Sequence, residues 1–138
     1  MDFTYQIAGG DFTQAGQAAS DLKKILKSLN LDSGLIRRTV VALYEAEVNV
    51  VAHAWSGTVQ VNIQKDQIRI DISDSGPGIP DIELAMQKGY STASPAVREM
   101  GFGAGMGLAN IKENSDFMDI RSIPGVGTDL QIVNRILP

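Results

Sequence analysis

Glu45, Asn49 and His53 recur at four-residue steps in a run that is otherwise mostly Val, Ala, Leu, Tyr and Trp. Residues four apart on a helix share a face, so the three form one polar stripe on an apolar helix. A carboxylate and a carboxamide drawn into such a surface cost free energy unless something satisfies them. Further along, Asp74-Ser75-Gly76-Pro77-Gly78-Ile79 closes a strand-like run. Its glycines make a sharp loop without side chains, where a ligand can approach the backbone. Together the two segments suggest a nucleotide site.

Each residue has its own chemistry and an ordinary alternative. Asn49 offers a neutral oxygen suited to Mg2+ whose other ligands are phosphate oxygens and water; otherwise it is a buried Asn bonded to backbone. Glu45, one turn earlier, could be a general base for a hydroxyl or water, or it forms a salt bridge at a polar helix edge. Glu47 falls on a different face and reads as structural or solvent-facing. His53 extends the stripe, or is a hydrogen-bonded residue at a helix end. Asp74 could accept from an exocyclic amine such as that of adenine, or cap its loop as an Asx-turn. Thr128, after Gly127, could join Asp74 in a base pocket, or be a routine strand residue.

A second glycine cluster is Gly101-Phe102-Gly103-Ala104-Gly105-Met106-Gly107-Leu108. No Gly-Lys-Ser/Thr follows, so it is not a Walker A loop. It also lacks the dinucleotide spacing and an immediately preceding strand. A glycine run that opens a helix still presents unpaired N–H groups and a positive dipole end to an anion. Standing alone, the run could equally be a flexible linker.

The elements that must hold these residues are legible from periodicity. Residues 2–8 alternate as a strand, broken by Gly9-Gly10. Ala15, Ala18, Leu22, Ile25, Leu26 and Leu29 predict an amphipathic helix over 12–30. Asp32 or Ser33 could cap the next helix, 34–55, which is apolar on most sides and so central. Residues 58–64 and 67–73 alternate cleanly around a tight Lys65-Asp66 turn, a hairpin with one face on a core. Residues 74–107 hold seven of the 14 glycines and three of the five prolines, with a short helix at 81–88, and read as a long lid. A helix at 105–114 and strands at 116–123 and 128–136, joined through Gly125-Val126-Gly127, complete the chain. The expected fold is α+β: a two-layer sandwich with a mixed or antiparallel sheet, helices on one face, and a lid over about 80–107. The expected organisation is a single domain, 1–138.

Charge and composition exclude several functions. A net charge of −4 and a pI near 4.8 argue against a phosphate-backbone binder, so no nucleic-acid partner is expected. With no cysteine and one histidine, Cys zinc sites and most His metal sites are out. The N-terminus has no leader pattern, and apolar stretches fall short of the ~20 residues of a membrane span. A cytoplasmic protein without a membrane partner is expected.

Taken together, these residues resemble the ATPase superfamily of gyrase, the heat-shock chaperone, histidine kinases and MutL. Glu45, Asn49 and His53 match that family's N box, and Asp74-x-Gly76-x-Gly78 its first glycine box. Gly101 to Leu108 resembles the second glycine box, and Gly127-Thr128 the closing threonine motif. The short chain, with no His before the N-box helix, looks like the bacterial anti-sigma serine kinases. The stretch from Gly76 to Ile82, then Met86, Gly89, Tyr90, Ser91 and Thr92, is similar to the stressosome switch kinases of RsbT type. Ser94 to Met100 makes the lid longer than that group leads one to expect.

The resemblance implies ATP and Mg2+ as cofactors. Asp74 would bind the adenine amine, with Thr128 helping through water, and Asn49 would hold Mg2+. Glu45 would accept the proton of a substrate hydroxyl. Gly101, Gly103, Gly105, Met106, Gly107 and Leu108 would cradle phosphates, while Gly76, Gly78, Ile79 and His53 line the nucleotide site. Lys88 and Arg98 are candidates for a lid cation. The implied activity is protein serine/threonine kinase on a STAS-domain partner. The anti-sigma members (RsbW and SpoIIAB type) also hold a sigma factor, and a phosphatase is a further candidate partner. An ATP-binding switch without kinase activity is the other reading. Anti-sigma relatives pair through their N-terminal strand and helix, so Phe3, Tyr5 and Ile7 on an edge strand would permit a homodimer.

Overall fold

The computed structural model describes residues 1–87 and 107–137. The element order is β1 (Asp2–Ala8), α1 (Gln17–Ser28), α2 (Ser33–His53), β2 (Ser56–Ile63), β3 (Gln67–Ser75), α3 (Ile82–Ala85), α4 (Gly107–Glu113), β4 (Phe117–Ile123) and β5 (Gly127–Arg135). The strands form one five-stranded sheet in the order β1-β2-β3-β5-β4. All four pairings are antiparallel, so no parallel pair makes this sheet mixed.

Strand alternation divides the sheet into two faces. Val59, Val61, Ile68, Ile70, Ile72, Leu130 and Ile132 are buried on one. Against them pack Leu22 and Leu26 of α1, Leu43, Ala46 and Val50 of α2, and Leu108 and Ile111 of α4. Each buried Val, Leu or Ile side chain among them contributes about 1.5–3 kcal/mol. The other face is polar: Arg69 pairs with Asp71 at 2.9 Å, and Gln131 Nε2 donates to Asp71 at 3.0 Å. The strand pattern therefore needs helices on one side only.

Helix α1 starts later than its apolar spacing predicts. Residues 11–16 are spent in turns, with Gln14 N on Asp11 O and Gln17 N on Gln14 O. Gly16 takes φ +93°, which an L side chain rarely adopts, and the helix begins after it. Helix α2 is capped by Asp32, whose carboxylate accepts from Leu35 N at 3.1 Å. At its other end Ala54 is extended, and Gly10 N donates to Val51 O at 2.8 Å.

Two buried polar groups join the layers. Asn134 of β5 is fully buried; its Nδ2 donates to Thr39 Oγ1 and Asn114 O, and its Oδ1 accepts from Asp116 N. Glu47 of α2, 2% exposed, accepts from Gly16 N at 2.9 Å, Ala18 N at 3.2 Å and Ala19 N at 3.1 Å. These are the orphan donors at the start of α1, met by a carboxylate from the neighbouring helix. Of the two expectations for Glu47, the structural one holds. No described helix is long and apolar enough to cross a membrane.

Candidate functional site

Helix α2 carries Glu45, Asn49 and His53, all half-buried. Its other sides, through Leu43, Ala46, Val50 and Val51, enter the core. Burial pushes the Glu45 carboxyl above the usual glutamate range, opposed by a hydrogen bond from Asn110. That bond, Asn110 Nδ2 to Glu45 Oε1, spans 3.4 Å and joins α2 to α4. Burial also lowers the His53 imidazole below its usual range.

Asn49 faces the start of α4. A Cβ at Gly107 would come within 2.8 Å of Asn49 Oδ1 and 3.0 Å of its Nδ2. Only glycine lets the second glycine segment meet the carboxamide this closely. Leu108, the next residue, is buried, so whatever it offers a ligand comes from its backbone.

Asp74 lies near the end of β3, not beyond it. Its Oδ1 accepts from Thr128 N at 3.0 Å. Burial raises the Asp74 pKa, the Thr128 bond lowers it, and Asp129 raises it. Its other carboxylate oxygen carries no hydrogen bond among the described residues and can accept from a ligand amine. Thr128 Oγ1 is 2.9 Å from Ser122 Oγ, and Ser122 Oγ accepts from Ile79 N at 2.7 Å.

The loop after β3 is held to the β4–β5 turn by its backbone. Gly76 N donates to Val126 O at 3.1 Å, and Gly125 N to Pro77 O at 2.8 Å. A Cβ at Gly78, where φ is +75°, would sit 2.6 Å from Ile123 O, and one at Gly127 2.0 Å from Asp74 O. These glycines are required by the close approach of two backbone segments. Ile79 is tied to the same cluster through its N–H rather than its side chain.

The structure thus brings Asn49 to Gly107, and Asp74 to Thr128 with Gly76, Gly78, Ile79 and Gly127 around them. Gly101, Gly103, Gly105 and Met106 lie outside the described residues, as do Lys88, Arg98 and the segment 94–100. Two residues escaped the sequence reading. Asn110 sits one turn after Gly107, on the side of α4 that meets Glu45; a helical wheel of α4 would have raised it. Ser122 pairs with Thr128 across the β4–β5 hairpin, and drawing that register would have found it.

The donor set fits a nucleotide with a divalent cation. A free carboxylate oxygen beside a threonine hydroxyl suits an aminopurine edge. The Asn49 side chain makes no hydrogen bond among the described residues, and one neutral oxygen suits a Mg2+ otherwise held by phosphates and water. The described residues contain no group of three carboxylates or histidines that would form a protein cage for a metal.

This arrangement suits a nucleotide on an α+β domain, and comparison with known proteins names its class. Residues 34–136 match the family of histidine kinase-, DNA gyrase B- and HSP90-like ATPases. The chain belongs to that family. It is 29% identical over 127 residues to the serine/threonine-protein kinase RsbT of Bacillus subtilis, covering 89% of this chain and 87% of that protein. It is 33% identical over 106 residues to the anti-sigma F factor of Pasteuria penetrans, covering 72% of this chain and 66% of that one. Among solved structures, the RsbU and RsbW domains of a Mycobacterium tuberculosis protein match with TM-score 0.62 and 17% identity, over 97% of this chain and 32% of theirs. The mycobacterial sensor histidine kinase MprB matches with TM-score 0.56 and 17% identity, over 100% of this chain and 99% of its own. At those identities the likeness is one of fold. The family is one of ATPases, and the two named relatives are a serine/threonine kinase and an anti-sigma factor.

Proposed function

We propose that this protein is an ATP- and Mg2+-dependent protein serine/threonine kinase that acts on a STAS-domain regulator. The observation that carries the reading is Glu45. It lies one helical turn from Asn49, half-buried, with its carboxyl raised toward the range a general base needs at neutral pH. The relation to RsbT supports the same reading.

In this reading Asp74 accepts the adenine amine, and Thr128 and Ser122 hold the polar edge beside it. Asn49 would hold Mg2+, and the ion would supply charge neutralisation on the triphosphate. The glycine segment ending at Gly107 cradles the phosphates, and Lys88 or Arg98 would add a cation. Glu45 takes the proton from the partner's Ser or Thr hydroxyl as that oxygen bonds to the γ-phosphorus and the bond to the β-phosphate oxygen breaks. Phosphoryl transfer depends on positioning and neutralisation more than on covalent help, which is the help these residue types can give.

The test is incubation with γ-labelled ATP, Mg2+ and a STAS-domain protein from the same genome. Label should appear on a partner Ser or Thr and vanish in Glu45→Ala, with ATP binding retained. Transfer by Glu45→Ala at the native rate would remove Glu45 as the base. A second reading is favoured by the similarity to anti-sigma F factor: a protein that sequesters a sigma factor according to the bound nucleotide. Co-purification with a sigma subunit, sensitive to ADP against ATP, would select it.

A further inference from the structure

A groove of about 680 Å³ runs between the C-terminal half of α1 and the N-terminal half of α2. Its floor is aliphatic, with Leu31, Val40 and Val41 half-buried. Its rim is basic: Lys23 and Lys27 from α1 and Arg37 from α2, all exposed. We propose that this groove docks an acidic amphipathic segment of a protein partner.

The charge pattern is the reason. Lys23 and Lys27 stand four apart on one helix, a spacing at which like charges repel. None of the three cations forms an ion pair among the described residues. Nearby carboxylates are otherwise engaged: Asp32 caps α2 through Leu35 N, and Asp21 accepts from the Tyr5 hydroxyl. A lysine at the end of α1 favours its helix dipole, which accounts for Lys27 alone. The remaining convergence of two helices on one basic rim has no ion-pair partner among the described residues. It is a positive patch on a protein of net charge −4.

The floor decides what kind of anion fits. Bare phosphate polyanions gain nothing from Leu31, Val40 and Val41, and the acidic remainder of the surface repels nucleic acid and anionic bilayers. A helix with apolar side chains at i, i+3/i+4 and i+7, flanked by Asp or Glu, satisfies floor and rim together. Arg37 and Asn49 lie on the same helix, about 18 Å apart at 1.5 Å rise per residue. Val41, at the near end of the groove, is one turn before Glu45, about 6 Å along the helix, so a docked segment would reach the edge of the nucleotide residues. The inference does not depend on the kinase reading.

The test is selection of peptides from a random twelve-residue display library on the full-length chain, compared with the double variant Lys27→Glu, Arg37→Glu. Both residues are exposed, so the variant should keep its far-ultraviolet circular dichroism and its ATP affinity. Enriched peptides should be rich in Asp and Glu with apolar residues at helical spacing. They should bind the variant at least tenfold more weakly. Enrichment of non-acidic peptides, equal binding to the variant, or failure to enrich any sequence would overturn the proposal. So would co-sedimentation with phosphatidylglycerol vesicles that the variant loses, since the groove would then serve a membrane surface.

Discussion

Glu47 and Glu45 are two residues apart on α2, and neutralising them should have opposite consequences. Glu47 is 2% exposed and is the acceptor for the N–H groups of Gly16, Ala18 and Ala19. Glu47→Ala leaves those three donors without an acceptor in a buried position. A stranded buried donor costs about 1–3 kcal/mol, and three are stranded here. We therefore expect Glu47→Ala to lose ~3–5 kcal/mol, a large part of the 5–15 kcal/mol typical of a domain. Glu47→Gln keeps one carbonyl oxygen but turns an NH2 toward a backbone N–H, and should lose about 2–3 kcal/mol. Glu45 is only half-buried and holds one long hydrogen bond, 3.4 Å. Burial raises its pKa, so its stabilising contribution is complete below the unfolded glutamate pKa and is lost as pH rises through the folded value. At pH 7 its charge is a slight burden, and Glu45→Gln should lie within about 0.5 kcal/mol of native, on the stabilising side. The assay is urea unfolding followed by far-ultraviolet circular dichroism, because Trp55 is 66% exposed and its emission would change little. A Glu47→Gln protein as stable as native would refute the argument that this carboxylate caps α1.

Gly127→Ala would drive a Cβ to 2.0 Å from Asp74 O, so the β4–β5 turn must withdraw from the β3 loop. Nucleotide affinity should collapse together with a stability loss above about 2 kcal/mol, read by calorimetry and thermal melting. Asp74→Asn should keep its bond from Thr128 N yet turn a donor toward the ligand amine; ATP should bind at least tenfold more weakly, about 1.4 kcal/mol. An unchanged dissociation constant would place the base elsewhere. Because burial raises the Glu45 pKa, the acid limb of the transfer rate should lie above the ordinary glutamate range. Asn110→Ala removes a hydrogen bond that favours the carboxylate, so that limb should move to still higher pH in a kcat profile.

Much of this architecture is legible in local periodicity. The alternation in β2, β3 and β5, the three- and four-residue steps of α1, and the order of elements all survive in the structure, because side-chain period depends on neighbours a few residues away. The polar stripe on α2 is legible for the same reason. Boundaries are less so: α1 begins at Gln17 because Gly16 takes a left-handed conformation that apolar spacing does not report. That Glu45 and Asn49 share a helix face, and that the chain carries glycines at positions 76, 78, 107 and 127, follows from the sequence alone. What those glycines make room for was decided by tertiary packing, which sets Asp74 against Thr128 N, 54 residues away, and Gly107 against Asn49. The partners of Glu47, Asn110 and Ser122 were decided there too. A side chain's face is a local property, but its hydrogen-bond partner depends on how two elements dock and in what register, and many pairings satisfy the same pattern until the core closes around one of them.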